Sequence, residues 1–349
     1  MKEDFFNNIK TRTVPYVIAE IGANHNGDMD LAKSMIRAAK ECGCDAAKFQ
    51  SWDTTTLIAK EEYDRNQTYE GSKKKHFGSL KEMVEKYYLR ESQHFELKAY
   101  CDEIGIHFCS TPFSTMEGDL LQKLDVPFYK VASMDVNNPE LLRHLARFNK
   151  TIILSTGMAT LAEIALALKA IEGEGNNQIV LLHCIAIYPP EYKDIHLRNM
   201  VMLRETFGYP VGFSDHSLGT SIPLASVVLG AKVIEKHFTL DKDMEGWDHD
   251  ISADPVDMKI IVEDSAKICA AMGQYQRVVS EAEEKKKLRF RRSVVVKRDL
   301  VKGDTIKLED LTYKRPATGI RPDEAQYVVG RKINRDIKAD ELLQWGDLL

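Results

Sequence analysis

Eight short apolar runs, spaced between Tyr16 and His237, constrain the fold of this chain more than any other feature. They lie at residues 16–21, 46–51, 107–110, 128–132, 151–155, 179–183, 211–214 and 232–237. Strands that are apolar on both faces need cover on both faces, which is the condition of a parallel sheet flanked by helices. The intervening stretches carry helical periodicity. One is 29–42 with Asp28 as N-cap; another is 161–171 with Thr160 as cap and Glu163 three residues on. The stretch 255–272 is expected to be the closing helix. Eight strand–helix units predict an α/β fold, a TIM (β/α)8 barrel of roughly 250 residues.

The chain has 349 residues, more than such a barrel needs. The charged run 280–287 predicts a solvated linker helix. Beyond it the pattern changes to a strand at 293–297 and turns at Lys302-Gly303-Asp304, Gly330-Arg331-Lys332 and Lys338-Ala339-Asp340. The expected division is a barrel over 1–275, a linker over 276–289 and a small, mostly β and irregular domain over 290–349. Residues 60–79 show no periodicity and are expected to form a long surface loop on the active face.

The net charge of −5 argues against general nucleic-acid binding. No apolar run reaches the roughly 18 residues of a membrane span, and the first residues lack a signal-peptide core. Six cysteines without a CxxC pair fit a reduced, cytoplasmic protein. As a nucleophile, only Cys184 has a histidine nearby in sequence, His183.

The polar residues at the strand ends form a pattern. His216 and His237 each close an apolar run. In a barrel both imidazoles emerge at the carboxyl-end face, where two neutral rings can hold a divalent metal and leave positions open. Lys48 and Lys130 lie inside strands, where an ammonium is costly without an anion. With the hydroxyl residues at the strand ends they suit a phosphate, unless those Ser and Thr merely end the strands. Glu20 also interrupts an apolar run. It is either a general acid or base, or a group orienting water, or one half of a buried ion pair with a lysine such as Lys48. His25, His183 and His249 are expected to be hydrogen-bonded core residues, and Trp52 and Trp247 to pack.

At this point nine blocks, in order over nearly the whole chain, resemble the sialic acid synthase family: AEIGANHNGD (19–28), KFQ (48–50), STPF (110–113), YKVAS (129–133), ILSTGM (153–158), LLHC with YP (181–189), GFSDHSLG (212–219), IEKHFTLDK (234–242) and YKRPATGI (313–320). The C-terminal region resembles that family's antifreeze-like (SAF) domain. The resemblance implies a TIM barrel followed by this small domain, in a homodimer whose small domains cover the partner's barrel mouth. It implies phosphoenolpyruvate as co-substrate and Mn²⁺, or Mg²⁺ or Co²⁺, on His216 and His237. Lys48, Thr111, Lys130, Ser133, Ser155 and Ser214 match positions around phosphoenolpyruvate, and Glu20 matches the acid–base carboxylate. Gln50, Asp135, Tyr188, Asp248 and Arg315 match positions facing the acceptor sugar, Arg315 arriving from the partner subunit. Asp135 in Ser-Met-Asp, Cys184-Ile185-Ala186 and Gly246-Trp247-Asp248 depart from the common neuraminate-synthase pattern. All three fall around the sugar, so the acceptor implied is a mannosamine-type or a related diamino hexose.

The reaction implied is an aldol-type condensation giving a nine-carbon 2-keto-3-deoxy acid and phosphate. The strand ends alone also admit a 3-deoxy-octulosonate-type synthase, a metal-dependent aldolase or isomerase without phosphoenolpyruvate, and a non-catalytic sugar- or metal-binding barrel.

Overall fold

The computed structural model describes residues 4–65 and 79–349. The chain divides into two compact units, Met1–Gly273 and Gln274–Leu349.

The first unit contains eight parallel strands: β1 (Tyr16–Gly22), β2 (Ala46–Ser51), β3 (His107–Pro112), β4 (Phe128–Val131), β5 (Thr151–Ser155), β6 (Ile179–Cys184), β7 (Val211–Asp215) and β8 (Val233–His237). They pair in the order β3-β2-β1-β8-β7-β6-β5-β4, and β3 and β4, the two ends of that order, lie side by side. The result is the expected TIM-like barrel, nearly closed. Every strand residue except His107 and Gln50 is buried, because side chains alternate between the barrel interior and the helical shell. Outward residues such as Val17, Phe49, Leu154, Leu181 and Ile234 form the main apolar core with the helices. Inward residues from the starts of the strands, including Tyr16, Ile18, Phe128, Ile153 and Val180, form a second apolar layer. A helix at Phe5–Thr11 adds Ile9 to that layer, and Phe5 stacks on Phe128 with ring centroids 4.9 Å apart. Apolar filling at the amino end leaves the carboxyl ends of the same strands for polar side chains.

Local signals placed the helices well. Asp28 Oδ1 accepts from the backbone N–H groups of Asp30 and Leu31 at the start of Met29–Glu41. Thr160 and Glu163 form a capping box on Leu161–Glu172. The closing helix is Pro255–Met272. One expectation is corrected: Lys60–Arg65 is helical, not loop, and a Ser79–Glu82 capping box starts a further helix at Leu80–Lys86. The remainder of the expected loop, 66–78, lies outside the described residues.

In the second unit the charged run is a helix, Glu281–Phe290, with no buried residue. It precedes an antiparallel pair, β9 (Ser293–Val296) with β10 (Leu311–Lys314). A small core of Val294, Val296, Ile306, Ile320, Ile333 and Leu343 holds the irregular segments together.

Candidate active site

Period-two alternation turns Glu20, Lys48, Lys130, Ser155, Cys184, Ser214, Glu235 and His237 inward at the carboxyl ends of their strands. They line a cavity of about 260 Å³ with Gln50, Thr111, Ser133, Tyr188 and His216. Phe113, Ala132, Met134, Met158 and Ala186 supply an apolar part of the same wall.

Two buried ammonium groups organise the polar part. Lys48 Nζ stands 2.7 Å from Glu20 Oε2 and donates to Thr111 Oγ1 at 3.0 Å. The other Glu20 oxygen accepts from Gln50 Nε2 at 2.9 Å. Lys130 Nζ donates to Ser155 Oγ at 2.7 Å and lies 3.4 Å from Glu235 Oε2. Ser214 Oγ donates to Glu235 Oε1 at 3.3 Å. Burial pushes the Glu20 carboxyl above its ordinary range; the Lys48 ammonium opposes this, and the Glu235 carboxylate adds to it. Glu235 is equally buried, yet Lys130 and Lys48 together outweigh that burial and hold it below the usual carboxylate range. Two carboxyl groups in one cavity are thus pushed apart in acidity, as acid–base sites require.

The two imidazoles adjoin this cluster. Ring centroids of His216 and His237 are 5.3 Å apart. The Tyr188 ring lies 3.9 Å from that of His216 and edge-on to His237. His216 Nδ1 is 2.8 Å from the carbonyl oxygen of Ile185, so Nδ1 donates a proton there. His237 Nδ1 is buried without a hydrogen-bond partner, and the Asp248 carboxylate stands 3.7 Å away. Burial and the surrounding cations hold His237 well below its ordinary pKa, hence neutral. A neutral ring with an unused lone pair and a second ring beside it fit a divalent cation. Among the described residues no cluster of three His, Cys, Asp or Glu is spaced to hold a metal.

Ser133 lies at the rim, where its Oγ accepts from the Gly157 N–H at 2.9 Å. A Cβ on Gly157 would come within 2.8 Å of that oxygen, so only glycine permits this contact.

Not every residue named from the sequence converges. Asp135 is buried in a short turn after β4, accepts from Asn138 Nδ2 at 3.3 Å, and does not line the cavity. The Asp248 carboxylate stands 3.7 Å from His237 Nδ1. Arg315 belongs to the second unit, with its guanidinium 4.9 Å from the Phe290 ring centre. Trp52 packs in an apolar cluster with Tyr87, and Trp247 packs against that cluster. His183 points outward, bonded to the carbonyl of Ile195 at 2.6 Å. The partner of Cys184 is therefore not His183 but His216, with Sγ 3.9 Å from Nδ1. The sequence reading gave Glu235 no role. Its position two residues before His237, on the same strand face, was the available signal.

Residues 35–277 match the NeuB family, and residues 291–349 match the SAF domain. The chain is 41% identical over 334 residues to an uncharacterised protein of Methanocaldococcus jannaschii, covering 96% of this chain and 94% of that one. It is 39% identical to the N,N'-diacetyllegionaminic acid synthase of Legionella pneumophila, covering 95% and 93%. The crystal structure of N-acetylneuraminic acid synthetase from Leptospira borgpetersenii, in complex with citrate, superposes with a TM-score of 0.68 at 31% identity, covering 78% of this chain and 90% of that one. A barrel with this arrangement at its carboxyl face, matched along its length by such relatives, belongs to the NeuB family and carries a C-terminal SAF domain.

Proposed function

We propose that the chain condenses phosphoenolpyruvate with an N-acylated mannosamine-type or diamino hexose, giving a nine-carbon 2-keto-3-deoxy sugar acid and phosphate. The observation that carries this reading is the convergence of Lys48, Lys130, four hydroxyl groups, Glu20 and two imidazoles on one cavity at the carboxyl end of the barrel.

Lys48 and Lys130 bind the phosphate and carboxylate of phosphoenolpyruvate as point charges, with Thr111, Ser133, Ser155 and Ser214 as hydrogen-bonding neighbours. Fixing the enol in this cradle aims carbon 3 at the aldehyde of the open-chain sugar. Gln50, Tyr188, Asp248 and, from the partner of a homodimer, Arg315 serve the acceptor, whereas Asp135, outside the cavity, does not. The new carbon–carbon bond leaves carbon 2 electron-poor. Glu20 orients a water onto carbon 2 and takes its proton, a task suited to a carboxyl whose pKa burial has raised. The tetrahedral adduct then collapses to the ketone as the carbon–oxygen bond to phosphate breaks. His216 and His237 would hold a Mn²⁺, Mg²⁺ or Co²⁺ ion, which would supply Lewis-acid chemistry when bound.

A panel of N-acylated mannosamines and 2,4-diamino hexoses, scored by phosphate release from phosphoenolpyruvate and by product mass, tests the proposal. Release that requires the hexose, with a product heavier than it by one pyruvate unit, is expected. Release with phosphorylated aldoses alone would assign the chain to a different condensation. Arg315→Ala should raise the KM for the hexose and leave that for phosphoenolpyruvate unchanged.

A further inference from the structure

Asp215 and Lys236 immediately precede His216 and His237, and alternation turns both away from the cavity. Each is 1% exposed. They face each other across the β7–β8 ladder, where Lys236 Nζ donates to Asp215 Oδ2 at 2.6 Å and to the carbonyl oxygen of Ser217 at 2.6 Å. The other carboxylate oxygen, Oδ1, accepts from the Ser217 N–H at 2.9 Å. The residues on both sides of His216 are therefore tied to the residue before His237. Beyond His237 the chain is held as well: its carbonyl accepts from the Ala253 N–H, and the Phe238 N–H donates to the Glu20 carbonyl, each at 2.8 Å.

Nothing in this outward layer needs charge for cohesion. Its neighbours Phe213 and Ile234 belong to the apolar core, and well-packed apolar residues in place of a buried ion pair are often at least as stable. What an ion pair supplies, and an apolar contact does not, is a fixed length and direction between two backbone segments.

We propose that the Asp215–Lys236 ion pair is a positioning device that sets the separation and orientation of His216 and His237 for one shared divalent cation. This inference rests on the metal reading above. Neither residue touches substrate; both act through the imidazoles next to them.

Calorimetric titration of the full-length protein with Mn²⁺ alone tests it, alongside thermal unfolding. The double variant Asp215→Leu/Lys236→Met replaces the pair by apolar side chains, and Asp215→Asn removes only the charge. The double variant should keep the parental melting temperature within a few degrees, and Asp215→Asn should melt lower but stay folded because it leaves the Lys236 ammonium without its carboxylate. In both the Mn²⁺ dissociation constant should rise about 10- to 100-fold, the range seen when groups supporting metal ligands are removed. A folded variant of either kind with the parental constant overturns the proposal, and Asp215→Asn decides if the double variant fails to fold. His216→Ala/His237→Ala should lose the site altogether. If that variant binds Mn²⁺ like the parent, the metal reading itself fails and takes the positioning role with it. That result differs from one in which only the Asp215 and Lys236 variants bind normally.

Discussion

Glu20 and Lys48 stand opposite each other on neighbouring strands, carboxylate and ammonium 2.7 Å apart and both 2% exposed. A buried pair of this kind contributes little stability over an apolar filling. Its setting beside Thr111 and Gln50, open to a cavity, suits the acid–base role proposed for Glu20. Glu20→Gln preserves the shape and one acceptor oxygen, which can serve the Lys48 ammonium, but cannot take a proton from water. The expected loss in kcat is about 10²- to 10⁴-fold, with phosphoenolpyruvate affinity nearly retained. Steady-state phosphate release with direct binding measurements checks both halves.

The raised pKa of Glu20 fixes the sign of a pH effect. Below that pKa the carboxyl carries its proton and cannot act as base, so kcat rises with pH through a single ionisation lying above the ordinary carboxylate range. A pH–rate profile of the parent should show this limb, and the residual activity of Glu20→Gln should lack it.

Lys130 neutralises Glu235 at 3.4 Å inside the barrel. Lys130→Met leaves that carboxylate buried and unpaired, which costs about 3–5 kcal/mol in urea unfolding. Adding Glu235→Leu should restore most of the stability, while phosphoenolpyruvate binding stays weak in both variants. Recovery of affinity in the double variant would show that Lys130 serves the fold and not the phosphate.

His25 supplies a stability prediction outside the site. It is 1% exposed, its Nδ1 accepts from the Gly27 N–H at 3.0 Å, and burial, aided by His94, lowers its pKa from 6.5 to about 4. A depressed histidine pKa favours the fold fully above pH about 6.5, and the contribution is lost as pH falls toward the folded value. The shift corresponds to about 3 kcal/mol over that window. Melting temperatures should fall between pH 6.5 and 4 in the parent and fall less steeply in His25→Asn.

Much of this was legible in the amino-acid order because the determinants are local. Apolar runs gave the eight strands, Asp28 and Thr160 gave helix starts, and charged residues inside apolar runs marked Glu20, Lys48 and Lys130 as unusual. The rest depends on neighbours distant in sequence. Cys184 ends β6, and His216, thirty-two residues on, lies beside it only because β6 and β7 are adjacent. The Asp215–Lys236 pair stands on the outward face, where pattern alone predicts apolar residues. Asp135 leaves the cavity because the chain turns in a short 3₁₀ segment directly after β4, which no periodicity announces. Lys60–Arg65 escaped notice because a six-residue helix without a buried face carries no apolar stripe.

The most direct test is the fate of the bridging oxygen of phosphoenolpyruvate. Water directed onto carbon 2 by Glu20 requires the carbon–oxygen bond to break. Substrate labelled with oxygen-18 at that bridge, turned over with an accepted hexose, should therefore release phosphate carrying the full label. Unlabelled phosphate would mean that the phosphorus–oxygen bond breaks instead, and would contradict the role given to Glu20 and to the cavity around it.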